Sequence, residues 1–133
     1  MAYYLTLDGR EYKNLHIIPP IKRSFQIMDG ENAGRLALTG EMVRDIIGTF
    51  YNYTVSINKD KSHLDEYDEF YEVISDPNVE SHELTIPYGQ GTITFNAYVT
   101  NGADELTRID RNGNNWTALQ INFIAMKPQR SAT

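Results

Sequence analysis

Between Arg35 and Ile57 the chain reads RLALTGEMVRDIIGTFYNYTVSI, and two hydrophobic periods compete within it. Met42, Val43, Ile46, Ile47, Phe50 and Tyr51 recur at the spacing of one helix face. Yet Tyr51, Tyr53, Val55 and Ile57 alternate with Asn52, Thr54 and Ser56, as on a half-buried strand. Leu36, Leu38, Gly40 and Met42 sit on even positions, whereas the later apolar face is odd. A period of two changes face only through an inserted residue or a turn. A helix over Glu41–Phe50 would have to carry Gly48 and would start weakly at Thr39-Gly40. Bulged or broken strands are therefore expected, with the change of face at Arg44–Gly48; a helical turn is the alternative.

Elsewhere the pattern is mostly that of strands. Tyr4–Leu7 and Arg10–Tyr12 flank Asp8-Gly9, the dipeptide suited to the two positive φ angles of a type I′ hairpin turn. Pro19-Pro20 removes two donors and is expected to stop the ladder there. Ile21–Met28 then resumes, with Ile21, Arg23, Phe25 and Ile27 on one side, before a polar turn at 29–34. Glu80–Pro87 and Thr92–Val99 flank the turn Tyr88–Gly91, and Asn101-Gly102 makes another. Leu106–Asp110 and Trp116–Met126 flank a loop at 111–115, with Leu119, Ile121 and Phe123 on one face of the last strand.

One segment has the other period. In SHLDEYDEFYEVISDP, Leu64, Tyr67, Tyr71 and Ile74 form a stripe widened by Phe70 and Val73. Ser62 and Asp65 have capping-box spacing, acids crowd the first turns, and Pro77 follows the far end, so one helix is expected at about Ser62–Ser75. The expected fold is β-rich α+β: an antiparallel β-sandwich or barrel of six to eight strands with this helix packed against it. Residues 1–133 read as one domain, and 128–133 as a loose C-terminal tail.

Composition narrows the function classes. The net charge of −6 argues against a sequence-specific nucleic-acid clamp and against a polybasic membrane binder. The absence of cysteine excludes disulfides, thiolate zinc sites and a cysteine nucleophile. The first residues are polar and turn-rich, unlike a signal peptide, and no apolar run approaches the roughly 18 residues of a membrane span. The triplets at Asn52 and Asn115 match the glycosylation pattern and are read as chance without a secretion signal.

Candidate chemistry is sparse. Asp65, Glu66, Asp68, Glu69 and Glu72 could pair as acid and base, but helical spacing puts most of them on a solvated face. His16, His63 and His82 are scattered without ligand spacing, and 29–32 lacks the pattern of a calcium loop, so no metal or cofactor is expected. Gly89-Gln90-Gly91 lies between strands, not before a helix, and no serine lies in a nucleophile elbow. The nine tyrosines are more informative, because tyrosine suits both sheets and interfaces. Tyr3, Tyr4, Tyr51, Tyr53, Tyr88 and Tyr98 lie in or beside strands and are the candidate interface residues.

Taken as a set, several motifs carry a resemblance. They are the segment Gly40–Ile57, the acidic Tyr-rich helix after it, HELTIP at 82–87, FNAYV at 95–99 and WTALQINFIAMKP at 116–128. The chain resembles, over roughly Phe25–Pro128, the small tail structural proteins encoded by prophages and tailed phages of low-GC Gram-positive bacteria. The resemblance implies a tail-tube-like or tail-tip fold and a non-enzymatic virion component made in the host cytoplasm. It further implies assembly into a ring through contacts with its own copies and with other tail proteins. A carbohydrate- or peptide-binding β-sandwich, with Trp116 and the tyrosines as stacking platform, is the alternative expectation.

Overall fold

A computed structural model of the chain describes residues 4–59 and 64–132. Twelve strands and one helix follow in the order β1 (Tyr4–Leu7), β2 (Arg10–Asp29), β3 (Gly34–Arg35), β4 (Met42–Val43), β5 (Ile46–Lys59), α1 (Leu64–Ile74), β6 (His82–Tyr88), β7 (Gly91–Tyr98), β8 (Gly102–Ala103), β9 (Leu106–Asp110), β10 (Gly113–Trp116), β11 (Leu119–Ala125) and β12 (Arg130–Ser131). The main sheet has the order β12-β5-β2-β1-β6-β7-β11-β8, and a further β5–β11 pairing closes it. Six strands thus form an antiparallel barrel, with β12 and β8 added on its outside. Closure decides between the two expected architectures in favour of the barrel.

The interior follows from alternation. Tyr51, Tyr53, Val55 and Ile57 of β5 point inward, as do Leu119, Ile121, Phe123 and Ala125 of β11. Leu84, Ile86, Phe95 and Ala97 complete that wall, and Leu7, Tyr12, Leu15 and Ile17 supply the rest. Outward positions are polar: Thr85 and Thr94, for example, share a hydroxyl hydrogen bond of 2.8 Å across β6 and β7. At the Asp8-Gly9 turn both φ angles are positive, 55° and 79°, as the hairpin reading requires.

Helix α1 lies across one end of the barrel. The starts of β2, β6 and β11 and the ends of β5 and β7 meet there, and Tyr67, Phe70 and Ile74 are buried against them. Phe70 meets Tyr12 edge-on, with ring centroids 5.1 Å apart. Tyr71 departs from the expected stripe: it is 40% exposed, and Phe70 takes the central place. The Ser62 cap and His63 lie outside the described residues. The Tyr67 hydroxyl donates to Asp104 Oδ2 at 2.5 Å, while Lys59 Nζ sits 4.4 Å from the Tyr67 ring centre and donates to the carbonyls of Trp116 and Thr117. Burial first, and Asp104 next, push the Tyr67 hydroxyl far up; burial also pushes the Lys59 ammonium down.

Three expectations need correction. Pro19-Pro20 interrupts the ladder but does not end the strand: Ile18 pairs with Ser56, Lys22 with Thr54, and β2 continues along the same partner. Residues between Leu106 and Trp116 form a hairpin of β9 and β10, turning at 111–112, not a loop of five. Asn112 N donating to Asp110 Oδ1 and Gly113 at φ 113° make that tighter turn. Lastly, 128–132 is tied down: β12 pairs with β5 at Gly48 and Thr49, and the Gln129 side-chain oxygen accepts from Tyr51 N at 2.8 Å.

Candidate interaction surface

At β2 and β5 the chain has more strand than the barrel wall uses. Lys22–Met28 pairs with Gly48–Thr54, so the two strands run on together away from the α1-bearing end as a ribbon. Met28 faces Gly48 while Asp29 faces Ile46, which leaves Ile47 as an extra residue in β5. This bulge, with the break at Arg44-Asp45 before it, is where the apolar face changes. No helix forms across Glu41–Phe50. The tip beyond is held by Asp29, whose carboxylate accepts from Arg44 Nε at 2.9 and 3.0 Å and from Asp45 N at 3.1 Å. The Arg44 bond, chiefly, holds the Asp29 carboxyl below its ordinary value. A short hairpin of β3 and β4 completes the tip.

The ribbon and its tip are apolar and uncovered. Phe25 is 68% exposed and Leu38 fully so, and Ile27, Met28, Leu36, Met42, Val43, Ile46 and Ile47 are each exposed by 39% or more. These nine are most of the exposed large apolar side chains among the described residues, gathered within 23 positions of sequence. Single exposed apolar residues are ordinary; nine gathered on one projecting element make it a candidate interaction surface.

At the root of the ribbon lies a recess of about 440 Å³, lined by Arg23, Ser24, Phe25, Ile27, Thr49, Tyr51, Tyr88 and Arg130. The Tyr88 hydroxyl donates to the Tyr51 hydroxyl at 3.1 Å. Accepting that bond, with Arg130 and Arg23 nearby, holds the Tyr51 hydroxyl below its ordinary value, while Tyr88, the donor, is held above. Arg23 lies 5.3 Å from the Tyr88 ring centre. Docking of β12 is what brings Arg130 here. That docking needs Gly48, because a Cβ there would stand 2.5 Å from Arg130 O and 2.7 Å from Pro128 Cβ.

The candidate interface tyrosines divide. Tyr51 and Tyr88 meet at this recess. Tyr53 is 2% exposed and belongs to the core, its hydroxyl donating to Pro87 O at 2.9 Å, so it offers no area to a partner. Tyr98 is half-buried on β7, away from the ribbon. Tyr3 and the side chain of Tyr4 lie outside the described residues. Trp116 is half-buried and packs against the core beside α1. The apolar residues of the ribbon are visible in sequence as alternation, which places them on one side of a strand but does not say whether that side is covered. The signal for exposure is strand length: Ile21–Met28 and Ile46–Tyr53 are matched runs on either side of a turn, in addition to residues sufficient for the wall.

Other polar clusters are structural. His82, buried, bonds Asp8 Oδ2 at 2.7 Å, and Asp8 Oδ1 accepts from Glu83 N at 2.8 Å, joining the first turn to β6. Among the described residues no three His, Asp or Glu side chains are grouped to hold a metal ion. A scan against protein-family models finds no match, and a search of curated proteins finds none either.

Proposed function

We propose that the chain is a non-enzymatic structural subunit of a phage or prophage tail, working through contacts with its own copies and with other tail proteins. The observation that carries this reading is the concentration of exposed apolar side chains on one projecting ribbon. Burying about 400 Å² of such surface contributes roughly 10 kcal/mol at ~25 cal/mol per Å². That is comparable with the roughly 4–15 kcal/mol of freedom lost on association. A single contact is therefore marginal, and a closed assembly in which every subunit makes two is favoured. The acidic balance suits a lumen that DNA must pass without sticking. The motif resemblance to tail structural proteins points to the same class.

The test is to purify particles induced from a bacterium carrying this gene and label them with antibody-gold against the chain. Label on the tail is expected. Intact tailed particles that lack the chain would contradict the reading.

A further inference from the structure

Recesses at the two ends of the barrel are lined by opposite charge. At the ribbon end, Arg23 and Arg130 line the recess with no acid beside them, and neither forms an ion pair among the described residues. At the other end, the segment Leu64–Glu80 holds seven acids and no basic residue. Two of these acids are occupied, Glu69 by Arg10 at 2.5 Å and Glu66 by Asn14 Nδ2 at 2.6 Å. Asp68 and Glu72 are exposed and form no ion pair among the described residues, and with the exposed Tyr71 they line a shared recess of about 390 Å³. Arg10 and Arg23 mark the two ends on the same strand, 13 residues and roughly 40 Å apart along it at ~3.3 Å per residue. The patches lie at opposite ends of the barrel, so one chain cannot join its own.

We propose that the acidic, aromatic face of α1 at Asp68, Tyr71 and Glu72 docks on the Arg23–Arg130 recess of a second copy of this chain, joining subunits head to tail. The inference rests on reading the chain as a self-assembling subunit. The chemistry is matched: guanidinium groups take carboxylates bidentately and stack on aromatic rings, and Phe25 and Ile27 provide an apolar floor for Tyr71. Because the two patches differ, the contact is heterologous and propagates into a ring or a filament instead of stopping at a two-fold dimer. The complementary ends also set polarity, since helix end against helix end places like charges together.

A charge swap tests this. R23E/R130E puts acids at both ends of one chain, and D68K/E72K puts bases at both ends of another. Sedimentation velocity at about 50 mM salt is expected to show each variant alone as monomer and their equal mixture assembling, with both contacts again of opposite sign. Circular dichroism checks that both variants fold. Should either fail to fold, wild-type association takes its place: it is expected to weaken at least tenfold as salt rises toward 0.5 M, where charges about 5 Å apart are screened. A mixture that stays monomeric, or R23E/R130E assembling as well as wild type, overturns the proposed contact. The second result leaves the tail-subunit reading intact, and absence of the chain from purified tails removes that reading separately.

Discussion

Gly48 shows how one absent side chain organises the ribbon end. Without a Cβ there, β12 lies against β5, and Arg130 comes to stand beside Arg23. Gly48→Ala would push Pro128 and the Arg130 carbonyl away, which we expect to cost about 1–3 kcal/mol, the usual range for overpacking. Urea unfolding measures the loss, and trypsin should cut faster after Arg130; unchanged cleavage would mean that β12 tolerates the methyl group. At the opposite end the Tyr67 hydroxyl ties α1 to Asp104. Tyr67→Phe removes a hydrogen bond to a carboxylate and leaves the ring packing in place, so a loss of about 1.5–3 kcal/mol in the same unfolding experiment is expected. The two sites share no residues, and the double variant should lose close to the sum.

Among the elements, the ribbon tip depends on one carboxylate. Asp29 is held below the 3.8 of an unperturbed aspartate, chiefly by Arg44. A depressed folded-state value means that its contribution is present above pH 3.8 and is lost as pH falls through the folded value. Amide protection at Gly30 and Asp45 is therefore expected to fall on acidification through that window, and Asp29→Asn should reproduce the loss at pH 7. Protection that persists in Asp29→Asn would show the backbone bond from Gly30 N to Asp45 O to be sufficient by itself.

Much of this level was legible in sequence. The inward face of β5 and that of β11 follow from alternation, because a half-buried strand must separate apolar from polar residues every second position. The break before Ile47 was legible as well, since a change of face requires an extra residue or a turn. What alternation does not encode is coverage. Phe25 and Ile27 have the pattern of core residues and lie on a ribbon where they stay exposed among the described residues. Docking of 129–131 depends on a glycine some 80 positions away, a contact that no local period can report. Tyr71 was placed on the buried stripe because a helix of three turns has room for two neighbouring stripes, and only packing against Tyr12 selects Phe70.

For the whole molecule, the barrel acts as a rigid spacer between two unlike ends. A closed sheet removes most free edges, so association through edge pairing is restricted to the ribbon and the short added strands. The ribbon then combines apolar area with two arginines, and α1 presents carboxylates and a tyrosine at the far end. Self-assembly through the ribbon is the central claim of this account. It is tested most directly by sedimentation velocity of the wild-type chain beside Phe25→Ser/Ile27→Ser over a hundredfold range of concentration. The wild type is expected to form larger species as concentration rises, and the variant to remain a folded monomer throughout. A wild type that stays monomeric across the range, or a variant that assembles equally well, would contradict it.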